Sequence, residues 1–161
     1  MFEYAIIIKV VLAALLGAAV GFERELARKV AGIRTHALVC LASALFTAIS
    51  IDAFKAYIGS VGYDPSRIIS NIIVGIGFIG AGAILRHGSK VEGTTTAASL
   101  WATAAVGVTV GVGLFKEAVV IAAIVYGILQ VVWFAEVKMR TKLGAIYKPE
   151  EEDSNGFSQR G

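Results

Sequence analysis

Cysteine occurs once in these 161 residues, at Cys40, which excludes an intrachain disulfide and any cysteine-cluster metal site. The lone thiol reads as a small apolar filler of the second hydrophobic segment. Charge is scarce as well. Only 17% of residues are charged against 57% hydrophobic, far from the mixture of an ordinary soluble domain. A soluble core of fully buried helices needs more polar covering helix than this length leaves over, so the composition describes one compact membrane domain. Also missing are a GxSxG elbow, a HExxH pair and any serine with an evident base, and no enzyme is expected. The formal net charge is +3, but the basic residues are interleaved with Glu23, Glu25 and Glu92 and carry no aromatic stacking platform. Nucleic acid is therefore not an expected partner.

What the chain does contain is apolar sequence of hydrocarbon length. Runs fall at about 4–22, 37–58, 68–85, 97–115 and 118–136, and ~18–20 such residues cross ~30 Å of hydrocarbon as one helix. The prediction is an all-α polytopic bundle of about five transmembrane helices over residues 1–137. Asp52 and Lys55 interrupt the far end of the second run, so its apolar part can stop near Ile51. Only Lys116 and Glu117 divide the fourth from the fifth, which predicts a tight helical hairpin. Residues 138–161 form a polar tail whose end, EEEDSNGFSQRG, lacks the apolar surface to fold. A cleaved signal peptide over residues 10–22 is disfavoured, because Glu3 precedes Lys9 and the segment leads straight into a basic loop.

Orientation follows from lysine and arginine, since loops rich in them stay cytoplasmic. Arg24, Arg28, Lys29, Arg34, Arg86, Lys90, Lys138, Arg140 and Lys142 share one side, and Lys55, Arg67 and Lys116 the other. This places the N-terminus outside and the C-terminus in the cytoplasm.

Glycines punctuate the spans. Gly75, Gly77 and Gly80 spell GxGxxG, yet that fingerprint binds pyrophosphate only in a soluble strand-helix-strand unit, and here Phe78, Ile79, Ile84 and Leu85 continue the apolar run. Two readings survive for Gly75, Gly77, Gly80 and Gly82: a packing face, or a helix bent where freed carbonyls line a polar cavity. Gly17 and Gly21 in the first helix, and Gly107 and Gly111 in the fourth, are GxxxG pairs, with Gly77 and Ala81 a looser version in the third. Residues four apart share a helix face, so helices one, three and four are expected to form the tight centre. The same strips also suit a homodimer or another protein's membrane helix. Trp101, inside the fourth span, is expected to pack against the third, while Trp133 and Tyr126 bracket the fifth.

Polar groups at membrane depth mark candidate function. Asn71 needs a partner, as an interhelical hydrogen bond, with a threonine of the fourth helix, or as an ion ligand. Lys9 is expected to snorkel to the outer interface, and Asp64 before Pro65 reads as a turn and helix start. In the first inner loop, Glu25 can pair with Arg28 and Lys29 if the first helix runs on. Glu23 has no positive residue three or four positions after it, so a partner from another element, Arg34 or Arg86, is expected. Gly32 supplies the turn before Arg34, Thr35 and His36. His36 and His87 read as solvated interfacial residues. In the third loop Thr94, Thr95 and Thr96 can cap the fourth helix.

The strings GFERE at 21–25, AGIRTHALVCLASALF at 31–46, NIIVGIGFIGAGAIL at 71–85 and GTTTAASLWATAAVGVTVGVG at 93–113 together resemble the membrane domain of the MgtC/SapB family of bacterial cytoplasmic-membrane proteins. The resemblance implies five spans and a part in adaptation to magnesium limitation, in some members linked to survival inside host cells. Members are often labelled magnesium transporters, while action on other membrane proteins, including the proton-driven ATP synthase, is the favoured role. Its pattern falls on Glu23, Arg24, Gly32, Arg34 and Thr35, then on Arg67, Gly75, Gly77, Gly80 and Gly82, then on Gly93, Thr96, Ala97 and Trp101. Many members continue into a soluble C-terminal domain, whereas this sequence stops at Gly161, so regulation through such a domain is not expected. Thr95 stands where some relatives have asparagine.

Three functions are weighed. A regulator would bind partner helices on its small-residue strips and sense ions at an inner-face cluster of Glu23, Arg24, Arg34, Thr35, Arg86, Thr95 and Thr96. A channel or transporter for Mg2+ or another cation would want at least one or two carboxylates along its path, and no acid lies within helices one, three and four. An intramembrane enzyme lacks its motifs. The first is expected, with no resident cofactor, Mg2+ binding left open, and the lipid bilayer and other membrane proteins as partners.

Overall fold

The computed structural model describes residues 2–55, 64–87 and 90–146. Five α-helices follow in order: α1 (Phe2–Leu26), α2 (Ile33–Ala48), α3 (Ser66–Gly82), α4 (Thr94–Val112) and α5 (Phe115–Ile146). A π-helical turn, Ile49–Ala53, extends α2, and a two-stranded antiparallel hairpin, β1 (Leu85–His87) and β2 (Lys90–Glu92), links α3 to α4. Four helices are long and apolar enough to cross a membrane, while α3 is a shorter apolar helix. At ~1.5 Å per residue its 17 residues reach about 25 Å. It runs unbroken past its glycines, which removes the bent-helix reading.

The centre of the bundle differs from expectation. α4 packs against all four other helices, and α1, α2 and α4 all pack against one another. Gly17 and Gly21 of α1 close on α2, where a Cβ on Gly21 would stand 2.7 Å from Ile33 Cα. Further along α2, Gly107 of α4 faces the Cys40 carbonyl, and a Cβ on Gly111 would stand 2.5 Å from Thr47 Cβ. The two GxxxG strips therefore close on one face of α2 at successive heights, meeting at Cys40. Ala13, Cys40, Ala44, Val106, Val110, Ala118 and Ala122 form the core there, mostly small residues that let backbones approach. In α3 the expectation fails: among the described residues Gly75, Gly77 and Gly82 meet nothing within 4 Å, and of the four glycines Gly80 alone touches α4, at Ala97. α3 is a flanking helix.

Crevices of about 220 and 240 Å³ run along either side of α3. Trp101 shares the first with Ile72, Ile73 and Ile76, so it does adjoin α3, but it remains half exposed.

Helix ends follow local chemistry. Asp64 accepts from the Ser66 amide at 2.9 Å, and hydrogen bonds from the side chain and backbone of Ser66 hold its carboxyl below the usual range, as befits a carboxylate opening a helix. The α4–α5 turn falls at Gly113 (φ +100°) and Leu114, so Lys116 and Glu117 lie inside α5 and not between the helices. Leu114 N donates to Thr109 O and Gly113 N to Val110 O, the paired bonds of a Schellman ending. α1 ends the same way, Lys29 N on Arg24 O and Arg28 N on Glu25 O, but with Arg28 at φ +52° in the left-handed position. Glycine is the better residue there. Arg28→Gly is expected to raise stability by about 0.5–1 kcal/mol, read from a denaturation curve in detergent.

Two further corrections concern length and charge. α5 continues to Ile146, so residues 138–146 of the expected tail are helical, and residues 147–161 lie outside the described ones. Lys9 does not snorkel free: it is buried and bonds Asp52 at 2.7 Å, tying α1 to the π turn.

Candidate functional site

The end of the bundle that carries the basic loops concentrates buried polar side chains. α1 delivers Glu23 and Arg24, α2 delivers His36, and α4 delivers Thr96 and Ser99, all almost wholly buried. Helical spacing explains this: Thr96, Ser99 and Thr103 lie three and four apart on the face of α4 turned inward.

Arg24 Nη1 stands 3.5 Å from Glu23 Oε2 and Nη2 stands 3.5 Å from Thr96 Oγ1, both longer than the ~2.7–3.2 Å of a good N–H···O bond. Its Nε is buried without a partner among the described residues. A guanidinium has five N–H donors in a fixed fork, and this one is under-satisfied in a place where an unmet donor is costly. The expected partner of Glu23 was Arg34 or Arg86, but its ion pair is with the adjacent Arg24, because the turn after α1 carries Arg34 to an exposed position. Glu25 likewise leaves Arg28 and Lys29 aside. With α1 ended at Leu26, its Oε2 folds back to accept from the Ile33 amide at 3.0 Å, capping α2.

His36 is not solvated; it is fully buried. Its Nδ1 lies 2.9 Å from the Gly32 carbonyl and its Nε2 lies 3.0 Å from Ser99 Oγ. A carbonyl only accepts, so Nδ1 carries a hydrogen. Ser99 Oγ also stands 2.8 Å from Thr96 O, so its one hydrogen faces two acceptors, Nε2 and that carbonyl. Contacts among His36, Ser99, Thr96, Arg24 and Glu23 thus link α2, α4 and α1. Sequence reasoning missed His36 and Ser99. The available signal was their place, fourth in α2 and sixth in α4, in helices whose inward faces carry small residues.

Of the other candidates, Arg34, Arg86 and Thr95 are exposed and Thr35 is half-buried. Thr95 does join Arg24 and Lys29 around a small cavity against α5. Asn71 finds no threonine of α4: it is exposed and makes no hydrogen bond among the described residues. Nor, among the described residues, do three histidine, cysteine or acidic side chains gather as a metal site. The side chain of His87 lies outside the described residues.

Apolar helices of spanning length around buried polar side chains at one end define a multi-pass membrane protein. The profile of the MgtC family matches residues 10–137, and the chain belongs to that family. It is 45% identical over 112 residues to YhiD of Escherichia coli K12, covering 68% of this chain and 52% of that protein, whose name proposes it as a magnesium transporter. Protein MgtC of Salmonella typhimurium LT2 is 43% identical over 118 residues, 73% of this chain and 47% of its own length. The chain spans about half the length of the curated relatives it matches. No solved structure matches it.

Proposed function

We propose that this chain is an interaction protein of the bacterial cytoplasmic membrane, serving adaptation to magnesium limitation by holding a helix of another membrane protein against the outer face of α3. One observation carries the reading. Arg67, Asn71, Val74, Phe78 and Ala81 follow the i, i+4, i+7 spacing of one helix face, directed away from the Ile72, Ile76 and Gly80 side that meets the bundle. Val74 is 75% and Phe78 86% exposed. Exposed apolar residues need no partner in lipid, but an amide among them does, since an unmet polar group in hydrocarbon costs free energy that an interhelical bond restores. Asn71 is that amide.

Cation transport, which the name of YhiD suggests, has less support. The buried Glu23 and the part-buried Asp52 lie at opposite ends and are each already opposed by a cation, Arg24 and Lys9. Sealed liposomes holding the purified chain are expected to take up no more Mg2+ than protein-free ones. A Mg2+ flux that depends on Glu23 would reverse the ranking.

The docking itself is tested with a photoreactive residue at Phe78 in native membranes. The expected adduct is with another membrane protein, the resemblance pointing to the membrane sector of the proton-driven ATP synthase, and Asn71→Leu should weaken it. A probe at Val131, exposed on α5, should not give that adduct. Adducts only with a second copy would replace the proposal by a homodimer.

A further inference from the structure

We infer that the cavity between Arg24, Lys29 and Thr95 is a binding site for the phosphate group of an anionic phospholipid. The cavity holds about 70 Å³ and is walled on its remaining side by Ile128, Leu129, Val132 and Trp133 of α5. Three independent features point to an anion. Arg24 is 2% exposed and, among the described residues, its two terminal nitrogens make only 3.5 Å contacts and its Nε has no partner. Lys29 is exposed beside it, held at the cavity by the bond from its amide to Arg24 O at 2.9 Å. Finally, α4 begins at Gly93 with no side-chain cap, so the N-terminal amides near Thr95 are open to an acceptor, and the helix dipole favours negative charge there. Glu23 opposes this, but one carboxylate against two cations leaves the site net positive.

The walls select the source of the phosphate. Ile128, Val132 and Trp133 are each more than 40% exposed, forming an apolar strip along α5 that leads away from the basic floor. A free phosphate would meet that strip with nothing to bury; a phospholipid would lay an acyl chain on it while its headgroup reached Arg24, Lys29 and Thr95. A tryptophan at the boundary suits the headgroup level. Clusters of basic residues at this depth attract anionic lipid in general, but here Arg24 and Lys29 line a shaped pocket together with Thr95. The site is separate from the outer face of α3, and either can fail without the other.

The test uses the full purified chain in detergent, with lipid retention followed by native mass spectrometry and by the shift in unfolding temperature. Phosphatidylglycerol is expected to be retained and to raise the unfolding temperature, with phosphatidylcholine and millimolar inorganic phosphate doing neither. Lys29→Glu should weaken retention about tenfold, the factor given by losing one charge-assisted contact. Lys138→Glu, the same charge change on an exposed residue outside the cavity, should leave it unchanged. Equal loss in both variants would overturn the proposal in favour of diffuse charge attraction. A thermal shift with inorganic phosphate alone would overturn the lipid as its source, and equal retention of both lipids would overturn the site. Circular dichroism of both variants checks that each remains folded.

Discussion

Replacing Gly107 by leucine is expected to unfold the bundle, at a cost of about 3 kcal/mol or more, because close-packed interiors resist added volume. The contact is with backbone, the Cys40 carbonyl, with Ser43 Cβ behind it, and a helix backbone cannot swing aside as a side chain can. Gly77→Leu is the matched control. It adds the same side chain where nothing lies within 4 Å, so the fold should survive with a change under about 1 kcal/mol, leucine being the better helix former. Unfolding of both in detergent, followed by far-UV circular dichroism, separates the two positions. If Gly77→Leu were the damaging one, α3 and not α2 would be the centre.

The second large effect is expected at Glu23. Glu23→Ala leaves the Arg24 guanidinium buried without its carboxylate, and breaking a buried pair on one side costs about 3–5 kcal/mol. Arg34→Glu, on an exposed residue, should stay within about 0.5 kcal/mol. Adding it to Glu23→Arg should restore nothing, since Arg34 is not the partner. Joint replacement, Glu23→Leu with Arg24→Met, removes both charges and should be far milder than Glu23→Ala. A double-mutant cycle on these variants measures the coupling directly.

Much of this was legible in the residues, and the boundary is physical. Hydrocarbon-length apolar runs announce helices wherever they fold, so four spans and the α3 run were readable, as were the GxxxG strips of α1 and α4. What such a strip touches is a tertiary matter. Gly107 and Gly77 look alike in one dimension, and only the arrangement of α2 shows that one meets a carbonyl and the other nothing. The same holds at the basic end. Glu23 stood out as a carboxylate in need of a partner at a membrane boundary, but whether α1 continued as a helix decided where Glu25 and Arg34 went, and Arg28 stopped it in a left-handed conformation no glycine announced. His36 was misread because a histidine near a loop is ordinarily wet, and its burial depends on Ser99, 63 residues away. The hairpin at Leu85–His87 and Lys90–Glu92 is too short to leave a periodic trace.

The position of α3 also bears on how the protein is made. Its main neighbour, α4, is synthesised after it, and its contact with the preceding α2 is slight. As it leaves the ribosome α3 therefore has no finished groove to enter, and its 17 residues must wait in the bilayer until the β1–β2 hairpin has passed and α4 has inserted. For this pair the later helix supplies the main surface for the earlier one, and an insertase that shelters a short, unaccompanied segment would find one in α3.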